Sequence, residues 1–212
     1  MKFLKNWVFK ALITLVIFST TGAVQEQNSP KFDDLKDRFE QNQVFSATFI
    51  HEFNDTFTGE QQLTEGTIWV GKDRYKIESG NSIMVVDGEV SRVYDGTKGR
   101  VIISEYEEEE DDFAPSRMLQ GVDDSYTIRE EAAADGITRV YLETEDLFAM
   151  FMQVTIWINP AGTPLRIEAT DQVENELITY FRDGRFITET EDTFRFQPPE
   201  GIELIDLRHE SR

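Results

Sequence analysis

From residue 44 onward the chain alternates apolar and polar positions with a period of two. Phe45, Ala47, Phe49, His51 and Phe53 interleave with Ser46, Thr48, Ile50 and Glu52, the pattern of a strand with one apolar face. Just before it the period is helical. Phe32, Leu35 and Phe39 recur at three to four residues, Ser29 is placed to cap and Pro30 suits a first turn, so a helix is expected over 30–42. Further strands are expected at 63–70, 74–78, 82–87, 89–94 and 100–106, then at 125–130, 137–144, 150–159, 164–171, 176–182 and 193–196. Asp87-Gly88 is a hairpin signal, and the Asn159–Pro164 stretch and Asp183-Gly184 punctuate the second half. Val154, Ile156 and Ile158 share one face of their strand, as do Leu165, Ile167 and Ala169 of theirs. There is no internal repeat and no linker. The expected fold is mainly β, a single antiparallel sheet curled into an incomplete, unclosed β-barrel with the first helix across its concave side.

Two segments interrupt the strands. Residues 105–112 carry seven acids in eight positions. Like charges repel, so a solvated loop is the simplest expectation. Calcium binding lacks the ligand spacing and glycine turn of an EF-hand loop; steering toward a basic docking surface is the third option. After the acids, Phe113 to Leu119 contains a proline able to open a short helix, with Met118 and Leu119 apolar. Such a helix either covers the mouth of the curved sheet as a lid or packs on the core as an ordinary surface helix.

The first 23 residues read as an address. Lys2, Lys5 and Lys10 precede the apolar run 11–18, and small residues follow, ending in Thr21-Gly22-Ala23. This is the three-part pattern of a cleaved signal peptide, and the apolar run is too short to span a bilayer comfortably. Export to the periplasm is therefore expected, with residues 24–212 as one mature domain. No cysteine follows the apolar run, so no lipid anchor is expected there.

Charge and composition narrow the function. With 21 basic against 41 acidic residues the formal charge is −20, which phosphate backbones repel, so nucleic acid is not an expected partner. The absence of cysteine excludes disulfides, thiolate zinc sites and cysteine nucleophiles. Only His51 and His209 supply imidazoles, so a histidine-rich metal site is excluded as well. There is no nucleophile elbow, P-loop or dinucleotide fingerprint. A hydrolase built on two carboxylates is a distant alternative, because nothing distinguishes one pair among the many acids. His51, on the apolar side of its strand, reads as a core or rim histidine before a catalytic base. No catalytic residue and no metal ligand is assigned.

Short phrases recur in a telling order. Phe45-x-Ala47-x-Phe49 opens the first strand; Gly66-Thr67-Ile68-Trp69-Val70, the 82–88 stretch and Val93-Tyr94-Asp95 follow. The last is Phe194-Arg195-Phe196-Gln197-Pro198-Pro199-Glu200-Gly201-Ile202. In this order, from about Phe32 to Asp206, the chain resembles the LolA family of periplasmic outer-membrane lipoprotein carriers. The resemblance implies an unclosed barrel with a helical lid and an apolar cavity that holds the acyl chains of lipoproteins. It implies a carrier without covalent chemistry or cofactor, expected as a monomer. Its partners would be acylated lipoproteins, an inner-membrane ABC transporter as donor and an outer-membrane acceptor. The alternative is a related carrier or sensor of free lipid or another apolar ligand.

The expected cavity residues are Phe45, Phe49, Phe53, Ile68, Val85, Ile156 and Ile167. Phe113, Met118 and Leu119 match the family's mid-sequence lid by position. Lys72 falls where the family often has an arginine bonded to the lid, so it is the latch candidate, with Arg74 as the neighbouring one. His51 stands where the family commonly has glutamine, and Asp73 replaces a proline. The physics suits a carrier too: exposing a lipid chain to water costs about 0.8 kcal/mol per CH₂, so crossing an aqueous compartment requires a comparable apolar shelter.

Overall fold

The computed structural model describes residues 29–107, 115–121 and 125–208; the expected signal peptide, most of the acidic run, Phe113 and His209 lie outside them. Helix α1 spans Pro30–Glu40 and is followed at once by β1, Gln43–Asn54. Five strands come next: β2 (Gln61–Val70), β3 (Tyr75–Ser79), β4 (Ser82–Val86), β5 (Val90–Asp95) and β6 (Arg100–Glu105). A short helix α2, Pro115–Gln120, separates them from the second half. There β7 (Thr127–Ala132), β8 (Thr138–Glu143), β9 (Phe151–Ile158), β10 (Pro164–Asp171), β11 (Glu176–Thr188) and β12 (Glu203–Asp206) complete the order.

All twelve strands belong to one sheet, ordered β12-β6-β5-β4-β3-β2-β1-β11-β10-β9-β8-β7. Its two edges, β12 and β7, do not pair with each other, so the barrel is unclosed. β1 and β11 lie at the centre of the order, and the two halves of the chain fan out on either side. Alternation along β1 puts Phe45, Phe49 and Phe53 on one face, where they meet the same-face partners Val70 and Gly66 on β2 and Phe181 and Leu177 on β11. This inner face receives α1. Phe32, Leu35 and Phe39 of the helix are fully buried and join Val140, Leu142, Val154 and Ile156 of the sheet in one core.

The sheet is mixed rather than wholly antiparallel, because β12 lies parallel to β6. Both flanks of β11 are already taken by β1 and β10. The chain therefore cannot return by a hairpin. Residues 189–202 cross the outer face, bordering Lys76, Glu78 and Ile83 with the 192–197 segment, and reach the far edge by the long connection that parallel pairing needs. The strand expected at 193–196 is part of this crossing, and Phe194 packs over Gly71 and the Arg74 guanidinium. Asp183-Gly184 also differs from expectation. It lies within β11 as a bulge opposite β1, between the pairs Ser46–Arg185 and Thr48–Arg182, with Asp183 at φ 54°. Gly184 is needed because a Cβ there would come within 3.0 Å of the Phe45 ring. Asp87-Gly88 does form its hairpin, with Asp87 Oδ1 accepting from the amides of Glu89 and Val90.

The cap of α1 comes from elsewhere in the sheet. The Ser29 side chain makes no cap bond; instead the Phe32 amide donates to Glu130 Oε1 on β7 at 2.7 Å. A carboxylate at this end satisfies an orphan amide and opposes the positive pole of the helix. Glu130→Ala is expected to destabilise the domain by about 1–2 kcal/mol, read as a lower urea midpoint at unchanged slope. Ser29→Ala should leave the midpoint in place.

Candidate functional site: an apolar cavity under a short helix

Beyond the ring layer that α1 fills, the inner face is left with a cavity of about 210 Å³. Phe49, Ile68, Ile77, Ile167 and Phe181 form its apolar wall. These positions are register neighbours: Phe49 faces Phe181, and Ile68 faces Ile77. Pro115 and Met118 of α2 cover it. A polar patch of His51, Thr64 and Thr179 completes the lining. Among the described residues no group of three metal-ligating side chains occurs, and no helix is long and apolar enough to cross a membrane.

The helix α2 is seated by Leu119, which is fully buried in the same core as α1, while Met118 is almost so. It stops at Gly121, whose φ of 103° suits glycine and whose Cα lies so near the Phe32 ring that a Cβ would sit 3.1 Å from it. The covering helix thus rests on α1 at one end and on the cavity at the other.

The expected cavity residues separate into three groups. Phe49, Ile68 and Ile167 line the cavity. Phe45 and Ile156 lie in the core beside it; Phe45 packs edge-on to Phe181 at 5.2 Å and beside Phe186 at 5.6 Å, and Phe53 packs half-buried at the margin of this core. Val85 is placed elsewhere. Its cross-strand partners are Lys76 and Arg92, which puts it on the outer face, where it is buried. Ile77, Phe181 and Thr179 are further cavity residues; Tyr75/Ile77 show the same period-two signal that identified Phe45 and Phe49, whereas Leu177-Ile178-Thr179-Tyr180-Phe181 does not alternate and marks no inner face.

Among the described residues, neither latch candidate bonds α2 through its side chain. Lys72 Nζ reaches Glu40 at the end of α1, 2.7 Å away, and this pairing raises its pKa. Arg74 pairs with Asp73 and Glu189. The contact with α2 at this position runs the other way: Gln120 Nε2 donates to the Lys72 carbonyl at 2.8 Å. A strand-end residue offers its carbonyl whatever its side chain, so the contact does not require a basic residue. Gln120→Leu is expected to raise the opening of α2 about fivefold, the worth of one hydrogen bond, measured by amide exchange across 117–121. Lys72→Leu should leave that exchange unchanged.

Among the described residues, His51 is the one titratable group on the cavity wall. Its Nδ1 lies 2.8 Å from Thr179 Oγ1, and burial lowers its pKa below the ordinary 6.5, so it is neutral at pH 7. A depressed histidine stabilises the fold above pH 6.5 and loses that contribution as pH falls through its folded value. His51→Gln should flatten this part of the acid dependence in urea titrations between pH 7 and pH 5.

No family model matches the sequence, nor does any curated protein. Solved structures do match. An uncharacterized conserved protein from Thermus thermophilus superposes with a TM-score of 0.52 at 13% identity, over 82% of this chain and 98% of its own. A domain described as an outer membrane lipoprotein-sorting protein from Vibrio parahaemolyticus gives 0.41 at 13% identity, over 78% and 94%. A LolA superfamily protein from Nitrosomonas europaea gives 0.41 at 10% identity, over 78% and 96%. The likeness to the Thermus protein extends over nearly the whole of that chain and supports the unclosed single-sheet fold. At such identities the likeness is one of architecture alone.

Proposed function

We propose that the chain is a periplasmic carrier that shelters the acyl chains of lipoproteins and moves them between the inner and outer membranes. The observation that carries this reading is the apolar cavity of Phe49, Ile68, Ile77, Ile167 and Phe181 beneath a six-residue helix. A covered apolar wall on the inner side of an unclosed sheet suits reversible occupancy by hydrocarbon, which needs area and an exit but no chemistry. On this reading residues 1–23 direct export, an ABC transporter at the inner membrane is the donor and an outer-membrane protein is the acceptor. The protein acts as a monomer, as a carrier rather than an enzyme.

Cavity size favours a second reading. About 210 Å³ lies below the roughly 300–1,000 Å³ of common ligand pockets, so several acyl chains would enter only with displacement of α2. A carrier or sensor of a single-chain lipid would need less movement. Size-exclusion chromatography with a triacylated lipopeptide and, separately, with a free fatty acid distinguishes the two. Co-elution of the lipopeptide at one per protein supports the lipoprotein carrier. Co-elution of the fatty acid alone supports the second reading, and co-elution of neither contradicts both.

A further inference from the structure

The cavity is not apolar throughout, and its polar groups are gathered on one side. His51 on β1 is flanked by Thr64 on β2 and Thr179 on β11, its two cross-strand partners on the inner face. Thr64 is exposed, whereas Ile68, four residues along the same strand, is buried. The lining therefore runs from a wet polar end at Thr64 to a dry apolar end at Ile68. A pure hydrocarbon makes no use of that gradient.

The imidazole has one nitrogen engaged and one to spare. Nδ1 meets the Thr179 hydroxyl, while Nε2 has no protein partner among the described residues. Glu52 and Glu65 are close in sequence to His51 and Thr64 but occupy alternate positions, on the outer face. No carboxylate from the adjoining strands thus competes for the ring from this face. When Thr179 donates to Nδ1, the neutral ring carries its proton on Nε2 and is a hydrogen-bond donor in want of an acceptor.

We infer that the cavity binds its acyl chain in one direction, with an acyl oxygen accepting a hydrogen bond from His51 Nε2 at the Thr64 end and the hydrocarbon running toward Ile68, Ile167 and Met118. This rests on the acyl-binding reading above and adds the class and polarity of the ligand. The shared chemistry is a carbonyl or carboxylate oxygen at the head of a saturated chain. A free fatty acid supplies it as a carboxylate, and an esterified chain supplies it as a carbonyl. His51 is then the residue that distinguishes an acyl group from an alkane of equal length.

The test is displacement of bound 1-anilinonaphthalene-8-sulfonate by dodecanoate, methyl dodecanoate and dodecane, in the wild type and in His51→Phe. The wild type should bind at least one of the two oxygenated ligands about fivefold more tightly than dodecane, as one added hydrogen bond provides. Preference for dodecanoate over the ester identifies a carboxylate ligand, and equal binding of the two identifies the carbonyl. In His51→Phe the preference should vanish while dodecane still binds. A second readout is independent of the variant's folding. His51 and His209 are the only histidines, so ¹⁵N-imidazole spectra of the wild type follow His51 directly; its Nε2 resonance should move with dodecanoate or its ester and stay still with dodecane. Equal displacement by all three ligands in the wild type, with a static Nε2, overturns this inference and leaves acyl binding standing. Displacement by none of them overturns both.

Discussion

Phe32→Ala is expected to lower the folding free energy by about 3–5 kcal/mol, the range for truncating a buried aromatic ring. The whole domain is expected to have only about 5–15 kcal/mol to lose. Phe32 is fully buried, its ring receives Gly121 at the end of α2, and its amide holds the Glu130 cap. One residue therefore ties the first helix and the covering helix together through its ring, and the β7 edge through its backbone amide. The change should appear as a large fall in the urea midpoint and a loss of amide protection in α2, a helix more than eighty positions away in sequence. Phe32→Leu should recover most of the stability, because it restores most of the buried volume. A midpoint unmoved by Phe32→Ala would mean that α1 does not close the core.

The second large effect belongs to the cavity wall. Phe49→Glu places a carboxylate among Ile68, Ile167 and Phe181, where an acyl chain would have to desolvate it. Affinity for a dodecanoyl chain should fall about tenfold to a hundredfold. Ile50→Glu is the control, since Ile50 faces outward with Tyr180 and Glu65 as its cross-strand partners. It should bind as the wild type does. Phe49→Glu will also reduce stability, because core and cavity use the same face, so binding is to be compared at a temperature where both variants are folded. Equal loss in both variants would show that the ligand does not sit on the inner face.

The difference between these two neighbouring residues was legible in the sequence, and the reason is local. Period-two alternation is a direct consequence of strand geometry, so Phe45, Phe49 and Phe53 could be assigned to one face without knowing any partner strand. The helical spacing of Phe32, Leu35 and Phe39 had the same transparency. What the local pattern left out depends on distant residues. Ser29 has the chemistry of a cap, yet Glu130 supplies it, and nothing near Phe32 in sequence foretells β7. Asp183-Gly184 has the composition of a turn, but β1 and β11 continue past it, and the pair becomes a bulge that fits Gly184 against Phe45. The crossing of 189–202 follows from the crowding of β11 by β1 and β10, which only the strand order reveals. Val85 shows the same limit: Ile83-Met84-Val85-Val86 is apolar throughout, so which face was inner depended on the register with β3. At residue 72 the atom that meets α2 belongs to the backbone, which has no signature in a side-chain pattern.

Native mass spectrometry of the protein taken directly from the cell envelope, wild type beside Phe49→Glu, tests acyl carriage most directly. The account predicts a wild-type population carrying the added mass of an acylated lipoprotein or a single acyl lipid, and its loss from Phe49→Glu. A wild-type protein with no acyl-bearing adduct, or an adduct retained undiminished by Phe49→Glu, would contradict it.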